Sequence, residues 1–237
     1  MKADLKIVPD FEMIICAPAE SFRWNMHDYP YFGAKWHYHP EYELHLTRKT
    51  SGVMMVGDYI GEFEPGCLVL TGPNVPHNWV SDSEPGKLIQ NRDMLIQFSA
   101  DWADRVTGLC PELSSIRPLF EDAVYGVEFS GATSLAGQRL LAQIGATHGA
   151  ERVLLFMQLM VTLARNPAER RKLSRLAPTS AHVELPSELD VAMRYVMEHY
   201  GDDIDLASVS KLCGLEPQAF SRFFKRQTGH TFARYVI

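Results

Sequence analysis

The sequence predicts an α+β protein whose first half is a β-barrel or sandwich and whose C-terminal part is a small all-α unit. Three patterns lead to this prediction. Short strand-like runs alternate with turn residues up to about residue 98. Apolar residues at helical spacing dominate from about residue 100 onward. Near the C-terminus, two short helices flank a glycine turn.

Strands in the first half are separated by glycine, proline, asparagine and serine, which favour turns. The strand-like runs are 42–47, 53–56, 67–70 and 94–98. Two short helices at 101–107 and 111–121, and a returning strand at 126–129, are expected to follow.

One stretch of the first half carries potential site chemistry. Residues 33–46 read GAKWHYHPEYELHL, and residues 65–79 read PGCLVLTGPNVPHNW with His77 after two prolines. Strand alternation places one polar set on a single face: His37, His39, Glu43 and His45. This set is either the solvated face of a half-buried strand or part of a metal site.

The second interpretation follows from a resemblance to the cupin superfamily. Its first motif is H-x-H-x-x-x-E, matched here by His37, His39 and Glu43, and its second motif supplies a later histidine, matched by His77. The resemblance implies a jelly-roll barrel that holds a divalent transition metal (Zn, Fe, Mn or Ni) with open positions for water or ligand. Glu41 and His45 share the strand face and are alternatives to Glu43. Without a metal, the same histidines are expected to contact a small ligand.

Aromatic residues crowd the same stretches, where they either pack the barrel or line a pocket for a sugar or aromatic effector. The residues that we expect to contact such a ligand are Trp36, Tyr38, His45 and Trp79.

A pair of helices at 134–144 and 151–164 follows the barrel. The second reads ERVLLFMQLMVTLA and is apolar nearly all round, whereas an amphipathic helix needs one apolar stripe. One face is expected to pack on the barrel and another on a second subunit in a homodimer; burial entirely within the domain is the alternative. We therefore expect a barrel at about 1–130 and helices at about 131–165, forming a sensor and dimerisation domain over 1–175. A polar, proline-marked linker at 176–186 and an all-α subdomain at 187–237 complete the chain.

The C-terminal subdomain has the pattern of a helix-turn-helix. Leu206, Val209 and Leu212 form an apolar stripe, and Gly214 is placed to end the helix in a left-handed conformation. Pro217 suits the first turn of the second helix. Three phenylalanines, at 220, 223 and 224, share the buried face of that helix. Its other face carries the predicted DNA contacts: Gln218, Ser221, Arg222, Lys225 and Arg226.

The run FSRFFKRQTGHTFARY at 220–235 resembles the signature that follows the first helix-turn-helix of AraC/XylS-type transcription regulators. The resemblance implies a DNA reader behind a cupin-like sensor, and dimerisation through helices in the position of 151–164. In that family a linking helix leads to a second helix-turn-helix, whereas this sequence ends at Ile237, within the expected linking helix. A truncated chain and a natural short form are both open.

The composition of the chain excludes several classes of protein. The chain has 237 residues, 46% hydrophobic and 22% charged, which is ordinary for a soluble globular protein. The net charge of −6 argues against a protein that coats nucleic acid, but residues 217–237 contain four cations and no acid. Four widely spaced cysteines without a C-x-x-C pair indicate reduced thiols. With no signal peptide and no membrane-length apolar run, a cytoplasmic location is expected.

The leading functional interpretation is a non-enzymatic, ligand-responsive transcription regulator that binds a small molecule in the barrel and promoter DNA through the helix-turn-helix. The alternative is a metal-dependent cupin enzyme, a dioxygenase or isomerase, with a helical appendage. A third interpretation is a co-regulator that acts through protein contacts alone.

Overall fold

The structure of the protein is a computed structural model. It describes residues 9–17, 19–31, 36–84, 87–175, 188, 191–192, 195, 204–228 and 231–235. Within this part of the chain, no helix combines the length and the apolarity that a membrane crossing needs. The four cysteines are free.

The strands come first along the chain, in agreement with the predicted β-rich half. They are β1 (Asp10–Phe11), β2 (Arg23–Tyr29), β3 (His37–Tyr38), β4 (Glu41–Thr47), β5 (Gly52–Val56), β6 (Tyr59–Phe63), β7 (Leu68–Thr71), β8 (His77–Ser81), β9 (Ile89–Ser99), β10 (Val127–Phe129) and β11 (Arg170–Lys172).

These strands form two sheets among the described residues. One has five strands in the order β1-β3-β8-β5-β6, and the other has six in the order β11-β10-β7-β4-β9-β2. Val69 of the second sheet packs with Met54 and Trp79 of the first, so apolar side chains fill the space between the sheets. The predicted α+β fold with a jelly-roll β-domain is confirmed, in an open form in which the two sheets are not joined into a closed barrel.

The chain crosses from one sheet to the other at residues 39–40, so the polar stretch does not form one continuous strand as the alternation predicted. His37 lies on β3 in the five-stranded sheet, whereas Glu43 and His45 lie on β4 in the six-stranded sheet. The bend at Pro40 therefore turns the two halves of the motif to face each other across the interior.

Helices cover the outer face of the six-stranded sheet and include the expected helical pair. In the described residues they are α1 (Ala100–Leu109), α2 (Arg117–Asp122), α3 (Gly131–Gly145) and α4 (Gly149–Arg165), with short 3₁₀ turns at Pro111–Ile116, Ala123–Tyr125 and Pro167–Glu169. Leu44 and Leu68 point out of the sheet into the core that α3 and α4 complete. Strand alternation thus sends the leucines of β4 to the helices and its polar residues to the interior.

Helix α4 is less uniformly buried than its apolar sequence suggested. Phe156, Leu159 and Leu163 are fully buried against the sheet. Leu154 is 66% exposed, and Leu135 on α3 is 61% exposed. One face of the pair therefore packs on the β-domain, while apolar side chains remain on the outside.

The basic run after α4 belongs to the sheet. Arg170–Lys172 is the edge strand β11, which pairs antiparallel with β10. The predicted linker at 176–186 lies outside the described residues.

The C-terminal helices are α5 (Leu206–Leu212), α6 (Pro217–Thr228) and α7 (Phe232–Tyr235). Asp205 caps α5 by accepting hydrogen bonds from the backbone N–H groups of Ala207 and Ser208. Gly214 has the predicted left-handed backbone, with φ of 67°. Pro217 is the first residue of α6. Two helices joined by a glycine turn are therefore present, as the local pattern predicted.

The helix-turn-helix shares a core with the N-terminal strand. Phe11 and Met13 are buried in the same cluster as Val209, Phe220 and Phe224. Ala192, from the expected helix at 188–200, is also buried there; of that helix, residues 188, 191–192 and 195 are described and are helical. The N-terminal strand is thus part of the support of the helix-turn-helix, a contact that the sequence did not predict.

Candidate functional site

Histidines from three segments of the chain meet at one end of the sheet interior. His37 on β3 stands opposite His77 on the neighbouring strand β8, and His39 lies where the chain crosses between the sheets. One ring nitrogen from each of these three residues lies within 4.8 Å of the others. All three side chains are buried. We call these residues the histidine cluster.

Glu43 on β4 reaches the histidine cluster from the opposite sheet. Its Oε2 is 3.2 Å from Nε2 of His39, and its Oε1 is 3.7 Å from Nε2 of His77. The same carboxylate accepts a hydrogen bond from Gln97 at 2.7 Å and lies 3.0 Å from Nδ1 of His45. The predicted set of His37, His39, Glu43 and His77 therefore converges in space.

Two further carboxylates surround the histidine cluster. Glu12, which follows β1, is 3.2 Å from Nε2 of His37. Glu41 is 3.6 Å from Nδ1 of His39. Glu12 is far from the histidine motif in sequence, and the parallel pairing of β1 with β3 brings it there. No local sequence signal reveals such a contact.

The charges of the site depend on these contacts. Burial by itself would raise the pKa of the Glu43 carboxyl, but the hydrogen bonds to His39 and His45 outweigh burial and hold its pKa well below the usual value. Burial by itself would lower the pKa of His39, but the hydrogen bond to Glu43 and the neighbouring carboxylates raise it to about 9. Burial and repulsion from His37 lower the pKa of His77 well below its usual value. The site thus places the ionised carboxylate of Glu43 beside the neutral imidazole of His77.

The donor set fits a transition metal in composition. Nδ1 of His77 donates to the carbonyl oxygen of Val75 at 2.7 Å, which leaves Nε2 with a free lone pair. That Nε2 is buried and has no hydrogen-bond partner among the described residues. Metal–nitrogen bonds of about 2.1 Å place two ligand nitrogens at most about 4.2 Å apart. The spread of up to 4.8 Å in the histidine cluster therefore needs a small inward movement to close on an ion.

A cavity of about 500 Å³ opens beside the histidine cluster, and we call it the barrel pocket. His37 and Glu43 form its polar end, and Tyr29, Tyr31 and Trp79 supply aromatic walls. The ring of His45 stacks on Trp79, with centroids 3.9 Å apart. A volume of this order suits a small metabolite.

A buried ion pair closes another side of the barrel pocket. Arg92 is 2.7 Å from Asp93, and Asp93 is 3.1 Å from Nε2 of His45. Burial by itself would lower the pKa of His45, but Asp93 and Glu43 raise it to about 9. Arg92 also lies over the ring of Tyr29, 4.6 Å from its centroid. No local pattern singles out Arg92 or Asp93, because both lie on β9, far from the motif in sequence.

Two of the four predicted ligand contacts line the barrel pocket, and two do not. His45 and Trp79 line the barrel pocket. Tyr38 packs instead against Phe11 of the N-terminal strand, with ring centroids 5.5 Å apart, and Trp36 is not among the residues that line the pocket. Alternation along β3 explains the difference, because His37 faces the interior and Tyr38 the opposite side. We therefore restrict the ligand-contact hypothesis to His45 and Trp79.

The predicted DNA contacts share one face of α6. Gln218, Arg222, Lys225 and Arg226 are exposed, and Ser221 is partly exposed. Phe220 and Phe224, on the other face, are fully buried. Ser221, Arg222 and Lys225 border the same groove, which the start of α7 completes at Phe232.

Comparison with known proteins places the β-domain in a family. Residues 22–169, more than half of the chain, match the family of AraC-like ligand-binding domains, so this chain belongs to that family. None of the curated proteins is significantly similar to it in sequence.

Solved structures of two AraC-type regulators resemble the chain. ToxT from Vibrio cholerae is 10% identical with a TM-score of 0.45, and the match covers 92% of this chain and 98% of ToxT. The AraC-like transcriptional activator CuxR is 10% identical with a TM-score of 0.35, over 84% of this chain and 65% of CuxR. The match thus spans less than two thirds of the length of CuxR.

Proposed function

We propose that this protein is a transcription regulator that binds a small effector in the barrel pocket and promoter DNA through α6. The observation that supports this most directly is the combination within one chain of an AraC-like ligand-binding domain and a helix-turn-helix with a basic exposed face. In such a chain a ligand controls DNA binding by binding one conformation more tightly than the other.

The effector is a sugar or an aromatic metabolite. Aromatic walls of the barrel pocket offer stacking surfaces, and the carboxylates at its polar end accept hydrogen bonds from hydroxyl groups. A thermal-shift screen of monosaccharides and hydroxylated aromatics tests this assignment. A compound that raises the melting temperature should also change DNA affinity in the same protein.

The N-terminal strand offers a physical route between the pocket and the reader. Phe11 and Met13 are buried in the core of the helix-turn-helix, whereas Glu12 between them contacts His37 beside the barrel pocket. A ligand that displaces Glu12 therefore disturbs the segment on which the reader rests. The barrel pocket and the DNA-binding helices therefore both contact the N-terminal strand, and each can change its position.

Two substitutions test whether α6 recognises the base sequence of DNA. Arg222→Ala should remove about 1–3 kcal/mol of discrimination between preferred and altered bases, because an arginine at a base edge reads guanine with two hydrogen bonds. Lys225→Ala should weaken binding to all sequences alike, because a phosphate contact carries no sequence information. The measurement is anisotropy titration over a panel of duplexes selected from random DNA.

Lys87→Ala, on an exposed loop of the β-domain, is the control and should leave affinity unchanged. Equal weakening of every duplex by both Arg222→Ala and Lys225→Ala would show that the assignment of Arg222 to a base edge is wrong.

We further propose that the histidine cluster and Glu43 hold one divalent transition metal. Several carboxylates around three imidazoles favour a cation, and the unpartnered Nε2 of His77 is available as a ligand. His37, His39, His77 and Glu43 would hold the ion, which would supply an electrophilic centre at the end of the barrel pocket. Its affinity should fall as the pH is lowered, since protons compete for the imidazoles.

Metal analysis after dialysis against Zn²⁺, Fe²⁺, Mn²⁺ or Ni²⁺ tests the site. We expect about one ion per chain in the unmodified protein and a loss of at least about tenfold in affinity for His77→Ala. The exposed His148, changed to alanine, is the matched control and should retain the ion. Retention of the ion by a folded His77→Ala protein contradicts the site.

We also propose a homodimer through the outer faces of α3 and α4. Leu135 and Leu154 are large, exposed apolar side chains on neighbouring helices, and such residues together favour an interface.

The alternative, a metal-dependent cupin enzyme, is supported by the donor set of the histidine cluster alone. It requires turnover of a substrate by the metal-loaded protein, whereas the regulator requires effector-dependent DNA binding.

A further inference from the structure

A second cavity lies outside the barrel pocket, between the N-terminal segment that follows β1 and helix α1. Its volume is about 630 Å³, within the range of small-molecule sites. Ile14 of the N-terminal segment and Trp102, Val106 and Leu109 of α1 supply apolar walls. We call this space the lateral cavity.

The lateral cavity contains one carboxylate that is buried. Glu41, at the start of β4, lines it and is 7% exposed. Its Oε2 accepts no hydrogen bond from any of the described residues. The nearest basic atom is Nδ1 of His39 at 3.6 Å, beyond hydrogen-bond distance. His39 uses its other nitrogen, Nε2, toward Glu43 at 3.2 Å. A buried carboxylate oxygen without a hydrogen-bond partner is stabilised by a donor that reaches it from the cavity.

Other charged groups at the cavity are already paired. Arg105 forms an ion pair with Asp101 on the exposed side of α1. Glu20 forms an ion pair with Arg152 of α4. These pairs neutralise each other at the rim. Glu41 faces only His39, at 3.6 Å and without a hydrogen bond, among the described residues. Burial raises the pKa of the Glu41 carboxyl to about 7, so a cation in the cavity would favour its ionised form.

We propose that the lateral cavity binds a primary ammonium compound with an apolar body. The ammonium group donates hydrogen bonds to the carboxylate of Glu41, and the apolar body lies against Trp102, Val106 and Leu109. An anionic ligand meets a like charge at Glu41, and a neutral alcohol forms a hydrogen bond without charge assistance, so both bind more weakly. This site is separate from the effector site proposed for the barrel pocket.

Occupation of the lateral cavity also reaches the histidine cluster. Glu41 stands behind His39, on the side away from Glu43. A cation bound to Glu41 competes with His39 for the same carboxylate. The two cavities thus share the Glu41–His39–Glu43 row, which joins them through buried charged groups.

The test uses three probes of similar shape on the full chain: 2-phenylethylammonium, 3-phenylpropanoate and 2-phenylethanol. Calorimetric titration should detect binding of the ammonium compound and at least about tenfold weaker binding of the other two, as expected for a charge-assisted hydrogen bond. Glu41→Gln should lower the affinity for the ammonium compound by about tenfold or more. Glu62→Gln, on an exposed strand position, is the matched control and should not change it.

Two further variants keep the proposal open to refutation if Glu41→Gln fails to fold. Val106→Trp, at a partly exposed position of α1, fills the lateral cavity and should abolish binding while Glu41 remains. His27→Ala changes the wall of the barrel pocket and should leave the affinity unchanged. Binding that survives Val106→Trp, is lost in His27→Ala, or is equally strong for 2-phenylethanol overturns the proposal.

Discussion

The turn of the helix-turn-helix depends on a single residue. Gly214 has a φ of 67°, and the backbone N–H of Leu215 donates to the carbonyl oxygen of Ser210 at 2.9 Å, closing the end of α5. A Cβ atom at Gly214 would meet nothing within 4 Å. The requirement for glycine therefore comes from the backbone conformation and not from neighbouring atoms.

Gly214→Ala should lower the free energy of unfolding by about 1 kcal/mol, because an L-residue is strained in the left-handed region. Gly108→Ala is the matched control, since that glycine lies in α1 and its Cβ would also meet nothing within 4 Å. The control should be neutral or stabilising by up to about 1 kcal/mol. Denaturant titration measures both, and equal effects of the two substitutions would contradict the role of the turn.

The residues of the histidine cluster show how far single positions can be predicted. His37, His39 and Glu43 match the first cupin motif, and His77 matches the second, so the resemblance implies all four. Glu12 and Asp93 approach the same site through strand pairing, at 3.2 Å from His37 and 3.1 Å from His45. Such contacts join residues that are distant along the chain, and no local pattern encodes them.

At the scale of elements, α3 begins with a cap that is supplied from outside the helix. Glu169, in the 3₁₀ turn after α4, accepts hydrogen bonds from the backbone N–H groups of Thr133 at 2.7 Å and Ala132 at 3.4 Å. The hydrogen bond from the Thr133 hydroxyl, together with these backbone bonds, lowers the pKa of the Glu169 carboxyl below its usual value of 4.5. A carboxylate at a helix N-terminus is stabilised by the unpaired N–H groups there.

The contribution of Glu169 should therefore depend on pH. Because its pKa is lowered in the folded state, the stabilisation is present above 4.5 and is lost as the pH falls through the lowered folded value. Glu169→Gln should reduce the melting temperature at pH 7, and the difference from the unmodified protein should shrink below about pH 4.

Thermal scans across this range, with Glu62→Gln on an exposed strand as the control, measure the difference. A deficit in Glu169→Gln that stays constant at all pH values would mean that the ionised cap is not its origin.

The elements also differ in how well the sequence defined them. The helices at 134–144 and 151–164 appear as α3 and α4 because their apolar spacing is local. The run Arg170–Lys172 has no apolar alternation that would predict a strand, but it pairs with β10 as an edge strand. Its charged side chains suit an edge, since one side of such a strand faces water.

At the scale of the whole molecule, the exposed leucines of α3 and α4 carry the dimer proposal. Leu154→Glu should convert a dimer to a monomer, because it places a charge in the apolar interface. Ile60→Glu is the control, since Ile60 is 71% exposed, similar to the 66% of Leu154, but lies on β6, in the other sheet.

Sedimentation at micromolar concentration distinguishes the outcomes. A folded protein that is monomeric without any substitution refutes the dimer. A dimer that survives Leu154→Glu but not Ile60→Glu refutes the location of the interface.

The sequence by itself determined the features that rest on local patterns: the α+β fold class, and two C-terminal helices joined by a glycine turn. Local spacing suffices for these because helices, turns and strand faces repeat over a few residues. The histidines and glutamate of the candidate site were named from a resemblance to the cupin motifs. Tertiary structure alone decided that the histidine motif bends between two sheets, that Phe11 and Met13 complete the core of the helix-turn-helix, and that Glu41 faces a second cavity. These features depend on which distant segments pair and pack, and that choice minimises the free energy of the whole chain and not of any one segment.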